Sequence, residues 1–347
     1  MTKSKNIAVV GAGMAGIVAA RTLMQAGHKV TVFEKSHGAG GRMSTRSSPF
    51  GSFYHGAQYF TVRDARFLKA LQTVPGLCKP WSANTVRVLD SHGRVAAAGL
   101  PAREPHWVPV PGMSALARRW IQPLEDAGQV FYETRVQALE RDALDKSHWQ
   151  LRTESEGGAS HVYGGFEAVL LALPGPQAQA LLQTHSAGAS TAKKVGQSTV
   201  APCWTLMLAY PQAVQPGLIS LGPQWNAARS THHRIAWLAR ESSKPGRQRI
   251  ERWTVQASAA WSQEHLKDDP SRVSAKLIKA FSEVTGIRAE PAHAQVHRWL
   301  YAKTEKPLGS SHLWDVKSNL GVCGDWCIGH RVEDAFLSGL ELALAIA

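Results

Sequence analysis

The sequence predicts a two-domain α/β protein in which one domain is assembled from both ends of the chain. Three observations support this: a strand–turn–helix–strand pattern that ends at Glu34, a second strand–turn–helix pattern after residue 320, and a middle region of different composition. The chain has 347 residues, and at roughly 100–200 residues per domain this length suits two domains. Its hydrophobic content of 44% and charged content of 19% are typical of globular proteins.

The first element is a βαβ unit with glycines at its first turn. Residues 7–10 are an apolar run, as expected of a strand buried on both faces. A helix is predicted to follow as far as residue 25, and residues 30–33 are predicted to form the next strand. Between strand and helix lies Gly11-Ala12-Gly13-Met14-Ala15-Gly16.

This glycine spacing predicts a dinucleotide site. The first glycine permits a tight turn, the second lets a pyrophosphate approach the backbone, and the third lets the helix pack on the strand. The helix N-terminus adds free N–H groups and partial positive charge. Glu34 ends the second strand, where a carboxylate accepts hydrogen bonds from ribose hydroxyls. We therefore expect residues 11–16, Glu34 and Lys35 to bind a dinucleotide.

Two further segments favour FAD over NAD. Gly38-Ala39-Gly40-Gly41-Arg42 offers a second glycine-lined backbone, in which Gly41 passes the pyrophosphate and Arg42 adds a guanidinium. Near the C-terminus, a strand delivers Asp325 toward the ribitol hydroxyls of a flavin. A helix beginning near Arg331 and Val332 would direct its N-terminus at the flavin and stabilise the negative charge of the reduced ring.

The remaining pattern completes the predicted domains. We expect a hairpin over residues 86–95, a helix over 113–127, strands ending at 136 and 173, strands over 204–210 and 235–239, and a helix over 270–285. The predicted FAD-binding domain comprises residues 1–60, 105–176 and 295–347. The predicted substrate domain comprises residues 61–104 and 177–294.

Charge and cysteine content restrict the function classes. The net charge of +13 is dispersed along the chain without a Lys/Arg-rich block, so we expect an anionic small-molecule substrate and no nucleic acid. The four cysteines form no Cys-x-x-Cys pair, which predicts a reducing, cytoplasmic location and no metal site. The apolar N-terminal run carries the glycine motif and is interpreted as folded structure, so neither a signal peptide nor a membrane span is expected.

Several segments together resemble one known family. EKSHGAGGR, HGAQYF, WLARESSKPGR, HRWLYA and CGDWCIGHRVEDAFLSG resemble the bacterial renalases within the flavin amine oxidase superfamily. The resemblance spans nearly the whole chain. It implies a Rossmann-like FAD-binding domain with an inserted mixed α+β substrate domain, in a hydroxybenzoate-hydroxylase-like or amine-oxidase-like fold. It also implies oxidation of misreduced dihydronicotinamide isomers of NAD(P)H, with electrons passed to O2 and hydrogen peroxide released.

The resemblance further implies residues that contact the cofactor. In addition to the glycine loop, Glu34, Arg42 and Asp325, these are Gln58, Val136 and Val332, with Val136 acting through its backbone at the adenine end. Three positions depart from the family pattern. Tyr54 stands where an acidic residue is common, and His330 and Asp334 stand where glycine is usual.

The expected chemistry requires no enzymic base, and no catalytic residue is assigned. Oxidation of a dihydropyridine gives an aromatic pyridinium, so hydride passes directly to a flavin when the ring is held flat beside it. The substrate-pocket candidates are aromatic or basic residues of the middle and C-terminal regions: Tyr59, Trp237, Arg240, His297, Trp299, Tyr301 and Trp326. Each has a structural alternative as aromatic or salt-bridged core. Among them, we expect Arg240 to bind dinucleotide phosphates.

Other functions remain open from the sequence. One alternative is a flavin-containing amine oxidase or a related desaturase, and another is a non-catalytic dinucleotide-binding protein. Cys327 lies outside the position expected for covalent flavin attachment, so we predict noncovalent FAD. The expected partners are a dinucleotide substrate and O2, and the oligomeric state is not predicted.

Overall fold

The computed structural model describes residues 3–81, 86–97, 104–214 and 225–347. The strands in these residues are β1 (Asn6–Val10), β2 (Lys29–Phe33), β3 (Arg46–Ser48), β4 (Gly51–Phe53), β5 (Cys78–Pro80), β6 (Arg87–Leu89), β7 (Val95–Ala97), β8 (Trp107–Pro109), β9 (Val130–Phe131), β10 (Thr134–Arg141), β11 (Trp149–Ser155), β12 (Ser160–Phe166), β13 (Ala168–Leu171), β14 (Thr199–Tyr210), β15 (Ala227–Ser230), β16 (Ile235–Arg240), β17 (Glu251–Ala257), β18 (His293–Lys306), β19 (Leu313–Asp315) and β20 (Leu320–Val322). The α-helices are α1 (Met14–Gln25), α2 (Ala65–Gln72), α3 (Ser114–Asp126), α4 (Gly175–Leu182), α5 (Ala189–Val195), α6 (Ala259–Glu264), α7 (Pro270–Thr285), α8 (Asp325–Ile328) and α9 (Val332–Leu344).

The chain divides into two compact units, each built from separate stretches of sequence. The first unit contains Met1–Met43, Leu116–Val200 and Thr304–Ala347, and the second contains Ser44–Ala115 and Ala201–Lys303. In the part of the chain that the structure describes, no helix is long and apolar enough to cross a membrane.

The first unit is organised around a six-stranded sheet of order β19-β20-β13-β1-β2-β9. All neighbouring strands are parallel except β19, which runs antiparallel to β20. β1 lies between β13 and β2, and Val10 is in register with both Leu171 and Phe33. Because this strand is covered on both faces, it reads as an unbroken apolar run. A three-stranded antiparallel sheet, β10-β11-β12, completes the unit.

Helices α1 and α9 approach each other closely within the first unit. A Cβ on Gly339 of α9 would lie only 2.1 Å from the carbonyl oxygen of Ala15 in α1. No side chain therefore fits at residue 339, and α9 packs directly against α1, the helix of the N-terminal glycine motif. The two ends of the sequence thus belong to one unit.

The second unit contains a seven-stranded sheet of order β18-β14-β17-β16-β15-β6-β7. One face is apolar and packs against α7, through fully buried residues that include Leu206, Leu238, Val255, Leu277 and Phe281. The other face carries polar and aromatic residues. Cross-strand pairing aligns Arg229 with Trp237, Trp237 with Gln256, and Gln256 with Thr205. Directly paired residues share a face, so these four form a row across the sheet, here called the polar row.

The α/β fold class is confirmed, with the βαβ unit, the hairpin of β6 and β7, α3 and α7 at the predicted positions. The unit boundaries differ from the predicted ones. Residues 177–200 belong to the first unit, because α4 and α5 contribute Leu181, Leu182 and Val195 to its core. Residues 44–60, 105–115 and 295–303 belong to the second unit. For the first of these segments the reason is that Phe53 on β4 packs with Met207 and Ala209.

Candidate functional site

The glycine turn after β1 and the segment around Gly40 lie side by side in the first unit. The Gly40 N–H donates to the Ala12 carbonyl at 2.8 Å, and a Cβ on Gly41 would lie 3.3 Å from the Gly13 Cα. Gly41 has a φ of +52°, a conformation that favours glycine. A Cβ on Gly13 would meet nothing within 4 Å. Two glycine-lined backbones therefore meet beside open space at the start of α1.

The start of α1 offers uncapped backbone donors. Gly13 is the N-cap residue and supplies no side-chain cap to the helix. Behind the turn, a Cβ on Gly16 would lie 1.9 Å from the Gly11 carbonyl oxygen, so this position excludes any side chain. The first-turn N–H groups of α1, such as that of Ala15, lie at the positive end of the helix dipole and suit a phosphate.

Glu34 is held in a fixed orientation at the end of β2. The carboxylate accepts hydrogen bonds from the Ala12 N–H at 2.8 Å and the Ser36 N–H at 2.9 Å. It is buried, while the neighbouring Lys35 is exposed. Each carboxylate oxygen retains accepting capacity beyond these bonds, so Glu34 can still receive ribose hydroxyls.

Arg42 and Asp325 form a bidentate ion pair in the same unit. Arg42 Nη1 donates to Asp325 Oδ2 at 3.0 Å, and Nη2 donates to Oδ1. The Thr304 hydroxyl lies 3.4 Å from the same Asp325 Oδ2. The sequence assigns Arg42 to the pyrophosphate and Asp325 to the ribitol, and the structure brings these two residues into direct contact.

The start of α9 carries its own carboxylate. Asp334 Oδ2 accepts from the backbone N–H groups of His330 at 3.0 Å and Arg331 at 2.9 Å. The Arg331 guanidinium contacts Asp334 at 3.0 Å and Glu333 at 3.3 Å. Asp334, one of the departures from the family pattern, thus caps the helix that begins at Val332. Val136, the predicted adenine-end contact, lies on β10 where the pairing with β11 shifts register.

In the second unit, aromatic rings gather around Tyr59. Its ring centroid lies 4.0 Å from that of His106, 5.8 Å from that of Trp237 and 6.3 Å from that of Trp81. Burial raises the pKa of the Tyr59 phenol, whereas the positive charge of Arg229 lowers it. We call Tyr59, His106 and Trp237 the aromatic slot. The sequence identified two of its members and missed His106, which no motif distinguishes.

A second aromatic group joins β18 to the HGAQYF segment. The His297 ring lies 4.4 Å from Trp299 and 4.8 Å from His55, and Trp299 Nε1 donates to the His55 carbonyl at 2.9 Å. Burial lowers the pKa of His55 to about 3 and that of His297 to about 4, with the nearby Arg46 acting in the same direction. Both imidazoles are therefore neutral near pH 7. Tyr301 lies on the same face of β18 as His297 and Trp299, because every second residue of a strand faces the same side.

Gln58 lies in a buried polar network that the sequence did not predict. Its Oε1 accepts from Lys244 Nζ at 3.1 Å, and its Nε2 donates to the carbonyls of Tyr54 and Gly56. Lys244 also donates to Glu241 at 2.7 Å, and both side chains are fully buried. Burial lowers the pKa of Lys244 to about 8, whereas Glu241 opposes that shift.

The Tyr54 ring contacts cations of the same network. Lys244 Nζ lies 4.2 Å from the centroid of the Tyr54 ring, and the Arg247 guanidinium lies 4.3 Å from it. Cations favour the negative face of an aromatic ring. Tyr54 therefore accommodates two cations without adding a charge. Burial raises the pKa of the Tyr54 phenol to about 12.

For two pocket candidates, the structure favours the structural alternative. Trp326 is fully buried in the core of the first unit, and its Nε1 donates to the Leu173 carbonyl at 2.9 Å. Arg240 lies 3.1 Å from Glu251 and 4.9 Å from the centroid of the Trp253 ring. Because its guanidinium already has these protein partners, Arg240 is poorly suited to the phosphate-binding role expected from the sequence.

Comparison with known families defines the class of protein. Residues 98–347 match the family described as flavin containing amine oxidoreductase, and residues 9–72 match an NAD(P)-binding Rossmann-like domain. The chain belongs to the flavin containing amine oxidoreductase family, and its cofactor is FAD. The glycine-lined space at the start of α1 fits the pyrophosphate of this cofactor, and Glu34 fits its adenosine ribose.

Similarity to individual curated proteins covers short segments. A putative L-amino-acid oxidase, YobN, of Bacillus subtilis is 54% identical over 46 residues, which are 13% of this chain and 10% of that protein. An L-amino-acid oxidase of Vipera ammodytes ammodytes is 52% identical over 50 residues, or 14% and 10% of the two chains. A flavin-containing monooxygenase, FMO GS-OX-like 3, of Arabidopsis thaliana is 35% identical over 107 residues, or 28% and 24%. The matched segments thus span a quarter or less of each relative.

Solved structures match the whole chain at low identity. A putative protoporphyrinogen oxidase from Exiguobacterium has a TM-score of 0.74 with 14% identity and covers 100% of this chain and 99% of its own. Cyclohexylamine oxidase from Brevibacterium oxydans has a TM-score of 0.71 with 12% identity and covers 99% of each chain. These similarities establish the amine-oxidase-like architecture.

Proposed function

We propose that the protein is an FAD-dependent oxidase that converts misreduced dihydronicotinamide isomers of NAD(P)H to NAD(P)+. The aromatic slot carries this proposal. Tyr59, with its ring centroid 4.0 Å from His106 and 5.8 Å from Trp237, offers ring faces suited to a planar heterocycle. The net charge of +13 supports an anionic substrate through long-range attraction.

In the proposed reaction, O2 is the final electron acceptor. The dihydronicotinamide isomer, O2 and one proton give the nicotinamide cation and hydrogen peroxide. Bound FAD supplies the acceptor for the hydride and is reoxidised by O2. The substrate gains aromaticity as hydride leaves carbon, so the protein contributes ring positioning rather than a base. His55 and His297, whose low pKa values make them weak bases, are consistent with this limited role.

The test is anaerobic reduction of the holoprotein. Borohydride-treated NAD+, which contains the misreduced isomers, is expected to bleach the flavin absorbance rapidly, whereas ordinary NADH and a panel of amines are not. Readmission of oxygen should restore the absorbance and release one equivalent of hydrogen peroxide. Bleaching by an amine, with no response to the borohydride-treated NAD+, would reject the proposal.

Amine oxidation is a second candidate, which the family assignment favours. Paired aromatic rings can also hold a neutral amine, and several similar proteins are amine or amino-acid oxidases by name. The same anaerobic experiment separates the two candidates, because an amine oxidase is reduced by an amine and not by a dihydronicotinamide. A protein that no compound in either panel reduces would instead be a non-catalytic FAD-binding protein.

A further inference from the structure

The polar row brings a cation to the aromatic slot. Arg229 on β15 is the cross-strand partner of Trp237 on β16, so both side chains lie on the face of the sheet opposite α7. Arg229 also lies close enough to the Tyr59 hydroxyl to lower the pKa of that phenol. Its side chain is exposed, in contrast to Arg240, which contacts Glu251 and Trp253.

Trp237 brings a hydrogen-bond donor to the same place. The residue is only 9% exposed, yet its Nε1 has no hydrogen-bond partner among the described residues. A buried donor without an acceptor costs about 1–3 kcal/mol. The two other indoles near the row are satisfied, because Trp81 Nε1 donates to the Ser243 hydroxyl at 2.9 Å and Trp299 Nε1 donates to the His55 carbonyl. The free donor of Trp237 therefore points to a ligand with an acceptor.

We propose that Tyr59, Trp237 and Arg229 form a subsite for a planar ring that bears a carbonyl group and is linked to a phosphate. In this subsite the ring stacks on Tyr59, Trp237 Nε1 donates to the carbonyl oxygen, and Arg229 binds the phosphate. A nicotinamide mononucleotide unit has these three features. The inference rests on the proposed function and extends it by naming the recognition residues, with Arg229 in place of Arg240.

The chemistry of the three groups distinguishes this ligand from others. An exposed guanidinium beside the slot disfavours a protonated amine by charge repulsion and favours phosphate, which it binds through two parallel N–H donors. The indole N–H donates only, so it selects an acceptor such as a carboxamide oxygen. A substrate that lacks the phosphate is expected to retain the stacking and indole contacts but lose the contact with Arg229.

The test measures binding of oxidised ligands to the holoprotein by titration calorimetry. Nicotinamide mononucleotide and nicotinamide riboside differ only in the phosphate. We expect the Arg229→Gln variant to weaken binding of the mononucleotide by about tenfold or more and not to weaken binding of the riboside, whose pyridinium ring is itself a cation. Trp237→Phe, which retains a flat ring, is expected to weaken both ligands by a similar factor.

Arg272→Gln is the matched control, because it removes the same charge from exposed Arg272 on α7, at the opposite face of the sheet. Equal losses in the Arg229 and Arg272 variants would reduce the effect to long-range charge and overturn the proposal. Equal weakening of mononucleotide and riboside by Arg229→Gln would also overturn it. FAD content and melting temperature of each variant establish that the fold is retained.

Failure of the subsite and failure of the proposed function give different results. Binding of the oxidised ligands requires no turnover. If the misreduced isomers do not reduce the flavin but Arg229→Gln still discriminates mononucleotide from riboside, the proposed reaction is wrong and the subsite stands. If the isomers reduce the flavin and no discrimination is lost in Arg229→Gln, the reaction stands and the subsite is wrong.

Discussion

Arg42 donates to both carboxylate oxygens of Asp325, a residue 283 positions further along the chain. The pair connects the segment after β2 with the start of α8. Arg42 is 29% exposed and Asp325 is 6% exposed in their side chains, so the carboxylate is the more deeply buried partner. The contact joins the N-terminal and C-terminal segments that the sequence assigns to one cofactor site.

We predict that Asp325→Asn weakens FAD binding and destabilises the protein. The substitution leaves the Arg42 guanidinium without its charged partner, at a cost of about 1–3 kcal/mol. FAD affinity measured by fluorescence after removal of the flavin is expected to fall about tenfold or more. The Arg42→Gln/Asp325→Asn double variant should lose less than the sum of the single losses. Additive losses would contradict an energetic coupling between the two residues.

From the lowered pKa of Lys244, we predict that the protein becomes more stable at alkaline pH. Its folded pKa of about 8 lies below the ordinary value of 10.5, so between these values the unfolded chain binds the proton and the folded chain does not. The free energy of unfolding should therefore increase with pH across this window, by at most about 1.4 kcal/mol per pH unit. Urea unfolding at several pH values compares the native protein with Glu241→Gln/Lys244→Met, which removes both charges. Parallel pH profiles would show that Lys244 is protonated throughout.

The sequence predicts the first unit better than the second for a physical reason. The glycines of the turn meet requirements of backbone geometry, and the cofactor roles predicted for Glu34 and Asp325 depend on where strands end. Both kinds of requirement leave fixed spacings in the sequence. His106 and Lys244 have no such spacing, because their neighbours come from distant segments that only the fold brings together. Arg240 illustrates the same limit, since its partner Glu251 lies on the adjacent strand and no local pattern identifies the pair.

His55 predicts a loss of stability in acid. Its folded pKa of about 3 is depressed below 6.5 by burial and nearby positive charge, so the unfolded chain binds a proton first as pH falls. The contribution of neutral His55 is complete above pH 6.5 and declines as pH falls toward 3. His55→Gln should flatten the acid side of the melting-temperature profile, whereas His92→Gln at an exposed position should not. Coincident profiles for the native protein and His55→Gln would contradict this assignment.

Cys327 predicts that FAD is bound without a covalent bond. The thiol is fully buried, and burial raises its pKa to about 12, so the nucleophilic thiolate is scarce near pH 7. Precipitation with trichloroacetic acid should release all of the flavin into the supernatant. The Cys327→Ser variant should release the same fraction. Yellow colour retained in the native pellet and lost in the variant pellet would establish covalent attachment.

Asp334 predicts a shift in the flavin reduction potential. Its carboxylate caps α9 by accepting from the N–H groups of His330 and Arg331, and its charge opposes the positive end of the helix dipole. We expect the reduced flavin, which carries negative charge, to be stabilised when that opposing charge is removed. Asp334→Asn retains an acceptor for the cap and should raise the two-electron potential by about 20 mV, equivalent to about 1 kcal/mol.

Comparison of Asp334→Asn with Asp334→Gly separates the effect of the charge from the effect of the cap. The Asp334→Gly substitution removes the charge and the cap together. It is expected to raise the potential by a similar amount while lowering the free energy of unfolding by about 1 kcal/mol. Reductive titration of the holoprotein against a reference dye measures the potential, and urea unfolding measures the stability. A loss of stability in Asp334→Gly with unchanged potential in both variants would limit Asp334 to helix capping. A raised potential in both variants would show that charge at the α9 N-terminus acts on the flavin, because loss of the Asp334 charge is the change that the two substitutions share.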